Sequence, residues 1–202
     1  VLIFDECTSG FRETFGGLHE KYGVEPDIAV YGKTLGNGYA ITAVVGREEI
    51  MQSAQSTFIS STFWTERIGP SAALKTLAVM EREKSWETAT DLGKYVNSLW
   101  RELAQKNKLK MKISGLPAMT AFSFDSKNAS AYKTLITQEM LKKGYLAGTA
   151  IFVSTAHDKL LFEQYAYSLD PILNMIAQCE DGRDIDTLLD GPQCHTGFQR
   201  LN

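Results

Sequence analysis

Asp27-Ile28-Ala29-Val30-Tyr31-Gly32-Lys33-Thr34-Leu35-Gly36-Asn37-Gly38 is an apolar run that stops at a glycine and at once presents a lysine. Ile28 to Tyr31 have the character of a strand buried on both faces, and Gly32, Gly36 and Gly38 bracket a tight turn beyond it. Gly36, Asn37 and Gly38 read as turn formers, since glycine and asparagine supply the positive φ that tight turns need. A second strand opens the chain: Val1 to Phe4 is wholly apolar and is followed by two carboxylates, Asp5 and Glu6. If the two strands run parallel in one α/β sheet, Asp5 and Lys33 reach the same carboxyl-end crevice, where open α/β sheets bind ligands.

An amine and a carboxylate converging on one pocket suit a particular chemistry. A lysine amine condenses with an aldehyde cofactor, and pyridoxal 5'-phosphate is such an aldehyde. Its ring acts as an electron sink while the pyridine nitrogen stays protonated, which a carboxylate held against that nitrogen secures. Taken by itself, Lys33 would more commonly be a solvated strand-end lysine. It is the order of Asp5, the glycine turn and Thr62, through the family resemblance they carry, that reverses that reading.

The residues in order then resemble a known family. Leu2 to Arg12 (Leu-Ile-Phe-Asp-Glu-Cys-Thr-Ser-Gly-Phe-Arg), Pro26 to Ile28, Gly32 to Gly38, Ile41 to Arg47 and Ser61-Thr62-Phe63 are similar to class III pyridoxal-phosphate-dependent aminotransferases. The resemblance implies fold type I: part of a large, mostly parallel α/β domain, followed by an α+β carboxyl-terminal small domain. It also implies that Lys33 carries the internal Schiff base and that Asp5 binds the pyridine nitrogen. Thr62 would bind the cofactor phosphate across a homodimer interface. Cys7 stands where the family usually packs valine or isoleucine against the ring, a role a thiol can fill as a small apolar group. Thr62 can equally cap the following helix, and the two roles are compatible.

Such enzymes are longer than this chain of 202 residues, and the resemblance covers only their carboxyl-terminal half, so a partial chain is expected. In the family, the loop that grips the phosphate and the aromatic residue that stacks on the ring lie upstream of the first matching residue. Weak cofactor binding is therefore expected of this chain alone, and a non-catalytic, dimerising role is an alternative. A further alternative is an aminomutase, because Ser9 to Arg12 resembles the glutamate-1-semialdehyde aminomutase branch. Otherwise the implied reaction passes an amino group from a small-molecule donor to a carbonyl acceptor.

Composition narrows the remaining choices. A formal net charge of −3 with mixed charges offers no basic stripe for nucleic acid or an anionic membrane surface. No apolar run approaches transmembrane length, and the amino terminus lacks a signal-peptide pattern. Cys7, Cys179 and Cys194 are scattered without Cys-x-x-Cys spacing, a reduced, cytoplasmic usage. His19, His157 and His195 have no carboxylate or cysteine at ligand spacing, so no metal is expected. Arg12 reads as a partner for a loop carboxylate ahead of a substrate carboxylate.

Further along, Ile41 to Gly46 follows a turn too short for a crossover helix and should run antiparallel to its neighbour. A short helix from Arg47 to Ser53 should follow. Pro70 suits a first helical position, opening a helix that closes near Lys84 and leads on into the small domain. The boundary is placed near Ser85, dividing residues 1–85 from 86–202. Beyond it, Leu92, Val96, Leu99, Trp100 and Leu103 recur at helical spacing. Met111 to Ile113 and Met119 to Phe124 read as strands about a Gly115 to Pro117 turn, and Tyr132, Leu135, Ile136 and Met140 mark another helix. Gly144 should end that helix, Ile151 to Ser154 should form a strand, and Asp158 should cap a helix that Pro171 kinks or restarts.

Overall fold

The computed structural model describes residues 1–195, and its chain divides into two compact units, Val1–Thr90 and Asp91–Asn202. The division falls inside a helix.

The first unit is built on a three-stranded sheet, β1 (Ile3–Glu6), β2 (Ile28–Tyr31) and β3 (Ala43–Gly46), in that order. β1 and β2 are parallel, with Ile3 beside Ile28 and Glu6 beside Tyr31. β3 returns antiparallel to β2, as the short connection requires. Since successive side chains alternate faces, Ile3, Asp5, Ile28, Val30 and Val44 share one face, and Phe4, Glu6, Ala29, Tyr31 and Val45 the other. Glu6 and Ala29 are buried on the second face, whereas Ile3 and Val44 on the first are 58% and 53% exposed. The expectation that Ile28 to Tyr31 is buried on both faces is thus corrected: only Ala29 of β2 is buried. The Asp5 face is thus the more open of the two at Ile3, Asp5 and Val44, with Ile28 and Val30 half-buried.

The expected helix after β3 is one turn, α1 (Glu48–Met51), continued by a 3₁₀ turn over Gln52–Ser56. α2 (Ile68–Glu83) begins two residues before Pro70, and the Glu66 carboxylate accepts its leading N–H groups, those of Ile68 and Gly69 (3.0 Å for Gly69). Pro70 is tolerated there because the N–H groups of a first helical turn have no intrahelical acceptor. A Cβ on Gly69 would stand 2.5 Å from the Ala40 carbonyl, so glycine lets the helix start approach the chain ahead of β3. α2 closes at Lys84 in the left-handed region (φ +49), with its N–H on the Met80 carbonyl at 2.7 Å. α3 (Ser85–Lys106) follows directly and carries the helical spacing of Leu92 to Leu103.

In the second unit, β4 (Met111–Leu116), β5 (Met119–Phe124) and β6 (Ala150–Phe152) form an antiparallel sheet in sequence order. β4 extends past the anticipated turn: Gly115 pairs with Thr120 inside the ladder, and the chain reverses at Pro117 and Ala118. Gly115 has φ +90, and a Cβ there would stand 2.4 Å from the Met119 carbonyl, so glycine alone suits this bent strand position. α4 (Ala129–Lys142) buries Tyr132, Leu135, Ile136 and Met140. α5 (Lys159–Glu180) opens on Asp158, whose carboxylate accepts the Leu161 N–H at 2.7 Å. It runs on through Pro171, so of the two expected outcomes, a kink or a second helix start, the second is excluded. Val96 and Trp100 of α3, both fully buried, meet this core, and Trp100, Phe122, Phe124 and Tyr132 form a chain of edge-on aromatic contacts.

Candidate active site

Parallel pairing carries β1 and β2 to a common carboxyl end, and the two sequence-selected side chains stand there. Asp5 is on β1; Lys33 follows β2 after Gly32 and opens a 3₁₀ turn over Lys33–Leu35. That turn is held by the Leu35 N–H on the Gly32 carbonyl (2.9 Å) and the Asn37 N–H on the Lys33 carbonyl (3.1 Å). Lys33 itself takes φ +37, a left-handed conformation that costs a non-glycine residue on the order of 1–3 kcal/mol. Strain of this kind persists where surrounding structure fixes it, and it accumulates at functional positions.

The segment after Asp5 joins the two strand ends. The Cys7 N–H donates to Asp5 Oδ1 at 3.0 Å, and Lys33 Nζ donates to Thr8 Oγ1 at 2.5 Å. A Cβ on Gly32 would stand 2.7 Å from Cys7 Sγ, so the thiol occupies the space that a side chain before Lys33 would need. Asp5 and Lys33 are both exposed, and among the described residues they form no ion pair with each other or with any other side chain. A carboxylate and an amine on adjacent strand ends, each tied to the same short segment, are both open to a ligand. Beside them, Thr34 Oγ1 is buried without a hydrogen-bond partner. This donor set suits an aldehyde that also carries a basic ring nitrogen.

Glu6, next to Asp5, points to the opposite face and is 2% exposed. Its carboxylate accepts Ser9 Oγ at 2.5 Å and the His19 N–H at 3.0 Å, with His19 Nδ1 at 3.2 Å. Burial opposes its ionisation, but hydrogen bonds from Ser9 and from the Leu18 and His19 N–H groups outweigh this and hold its pKa below the usual carboxylate range. Tyr31 on the same face has its phenol pushed up by burial and then by Glu6 and Glu20. Glu6 thereby fastens residues 9 to 19 to the end of β1, and with them the segment bearing Thr8.

The other sequence-selected positions are placed less centrally. Thr62 lies in an exposed turn over residues 62–65, where Ser61 Oγ accepts the Phe63 N–H at 3.2 Å. Arg12 Nε donates to the Thr8 carbonyl at 3.3 Å. The partnership of His19 with Glu6 escaped a search by ligand spacing, because the two are thirteen residues apart in sequence. Thr8 was likewise missed: nothing in a threonine's sequence position announces a lysine twenty-five residues away. Glu6 had a faint signal, a carboxylate at a strand end with serine three residues on. A cavity of about 650 Å³ lined by His19, Ala29, Tyr31, Val45 and Arg47 lies on the face opposite Asp5 and includes neither Asp5 nor Lys33.

Comparison with known proteins covers nearly the whole chain. The family described as aminotransferase class-III matches residues 1–167. A 3-aminobutyryl-CoA aminotransferase of Cloacimonas acidaminovorans is 33% identical over 184 residues, covering 88% of this chain and 44% of that protein. A glutamate-1-semialdehyde 2,1-aminomutase of Methanocaldococcus jannaschii is 32% identical, covering 90% of this chain and 44% of the relative. Thus the chain spans less than half the length of these relatives. Among solved structures, the FumI protein of Sphingopyxis sp. MTA144, in its PLP internal aldimine form, has a TM-score of 0.80 at 22% identity over 89% of this chain and 44% of its own. A transaminase with PLP bound has a TM-score of 0.78 at 24% identity, covering 91% and 46% respectively. The α/β fold described above is accordingly part of the fold-type I arrangement of these transaminases.

Proposed function

Because this chain belongs to the class-III aminotransferase family, we propose that it forms the carboxyl-terminal part of a pyridoxal-phosphate-dependent aminotransferase. The observation that supports this reading is that an exposed Lys33 with positive φ and Asp5 follow two adjacent parallel strands at the same end and are each bonded to the segment Cys7–Thr8. When bound, pyridoxal 5'-phosphate supplies an aldehyde and an electron-withdrawing ring. Lys33 would hold that aldehyde through its amine and, when free, would take a proton from and return it to the substrate α-carbon in a reaction that passes an amino group from a donor to a carbonyl acceptor. Asp5 would keep the ring nitrogen protonated, Cys7 would pack against the ring, and the Thr62 hydroxyl would serve the phosphate of a partner subunit in a homodimer. Residues 1–85 then belong to the cofactor-binding large domain and 86–202 to the small domain.

Exposed apolar residues on the sheet, Ile3, Val44 and Val45 among them, support association with further protein surface. Three free thiols support a cytoplasmic setting, and among the described residues no helix is long and apolar enough to cross a membrane. An aminomutase is the second reading, favoured by the 32% identical aminomutase relative. Product analysis separates the two, since a mutase returns the amino group to the same carbon skeleton. The test of the main reading adds pyridoxal phosphate to the protein and follows the visible absorbance of a lysine adduct, with Lys33→Ala alongside. Absorbance that appears equally in the Lys33→Ala protein rejects the assignment of Lys33.

A further inference from the structure

Lys33 is exposed, yet its amine is held at one point, 2.5 Å from Thr8 Oγ1. We propose that Thr8 is the positioning residue of Lys33: its hydroxyl receives the amine whenever the amine is not covalently engaged and fixes the direction from which it returns to the ligand. The geometry supports this from both ends. On the lysine side, the left-handed backbone at Lys33 and the closed 3₁₀ turn restrict where the side chain starts. On the threonine side, Thr8 lies between two anchors, the Cys7 N–H bound to Asp5 and the Ser9 hydroxyl bound to buried Glu6. Its carbonyl is taken by Arg12 Nε, which further limits rotation of the segment.

A four-carbon side chain free in water loses up to about 2 kcal/mol of rotamer freedom when it must adopt one reactive geometry. A hydroxyl that already holds the amine at Thr8 removes part of that loss before the ligand arrives. The same contact gives the displaced amine a defined resting place from which to reach the substrate α-carbon. The significance for amino transfer rests on the function proposed above; the contact itself does not.

The test separates the two. Each lysine of the full chain, without cofactor, is reductively methylated with formaldehyde, and site-specific rates are read by peptide mass spectrometry, with exposed Lys75 as reference. An amine tethered to Thr8 reacts more slowly than a free one. Thr8→Val, which keeps the shape and removes the hydroxyl, should therefore raise the Lys33 rate about three- to tenfold, the range one net hydrogen bond supports, and leave Lys75 unchanged. Thr8→Ser should restore the wild-type rate. The unsubstituted protein offers an independent measurement: Lys33 should react about three- to tenfold more slowly than Lys75 when folded, and the two should converge in urea. Equal rates for Lys33 and Lys75 in the folded protein, or a folded Thr8→Val protein with an unaltered Lys33 rate, overturn the proposal. A parallel trapping of wild type with pyridoxal phosphate distinguishes the failures: loss of Lys33 selectivity there contradicts the aminotransferase reading, while the formaldehyde rates judge Thr8 alone.

Discussion

Replacing Glu6 by glutamine should loosen the segment that presents Thr8 and Cys7 without disturbing the second unit. Glu6 is buried, and its carboxylate accepts Ser9 Oγ at 2.5 Å and the His19 N–H at 3.0 Å, with His19 Nδ1 at 3.2 Å. Hydrogen bonds to a charged group are worth about 1.5–3 kcal/mol each and neutral ones about 0.5–1.5. Glutamine keeps one acceptor oxygen and turns the other position into a donor, so the net loss is about 1–3 kcal/mol after Ser9 reorients. If the segment opens as a local unit, amide exchange at His19 should accelerate roughly five- to a hundredfold. Exchange at Leu161, bound to Asp158 in the other unit, should not change. The assay is hydrogen exchange resolved by NMR, since single amides must be compared.

pH offers the same perturbation without a substitution. Glu6's folded pKa lies below its unfolded value, so its contribution is present above the unfolded value and is lost as pH falls through the folded one. Protection of His19 in the wild type should therefore decline below about pH 4 and approach that of the glutamine protein. Unchanged His19 exchange in Glu6→Gln at neutral pH would refute the idea that Glu6 anchors this segment.

Two further predictions concern the second unit. Asp158→Ala removes the carboxylate that caps α5 and should cost about 1 kcal/mol, seen as a lower thermal midpoint and faster exchange at Leu161. Tyr165→Phe leaves the buried Trp100 Nε1–H without the hydroxyl it donates to at 3.1 Å, a loss of about 1–3 kcal/mol measurable by urea unfolding. Burial raises the Tyr165 pKa, so this phenol disfavours folding once pH exceeds its unfolded value near 10; the phenylalanine protein should lack that part of the alkaline loss.

The positions of the short, ordered motifs were legible. Lys33 beyond an apolar strand and a glycine, and Asp5 at the end of another, could be placed because strand ends in a parallel sheet converge. Antiparallel β3 followed from the shortness of its connection, and Asp158 announced its cap. What escaped depends on contacts between distant segments or on backbone states without a glycine or proline signal. Glu6 with His19 and Thr8 with Lys33 form only once the strands pair. The helix end near Lys84 was legible in its charged run, but the positive φ that makes it, at a lysine, had no glycine signal. Pro171 left a kink or a restart open, and packing keeps one helix: Ile172, Leu173 and Ile176 are buried, while Tyr167, whose carbonyl loses its helical partner, is 86% exposed. Gly115 marked a bend within a strand instead of its end.

The central claim is that Lys33 is the amine that engages the aldehyde of pyridoxal phosphate. Its most direct measurement adds that compound, fixes any adduct by borohydride reduction, and maps the modified lysines by mass spectrometry. A phosphopyridoxyl group concentrated on Lys33, with preference diminished in Asp5→Asn, is the predicted result. Modification spread over surface lysines without preference for Lys33 contradicts the account.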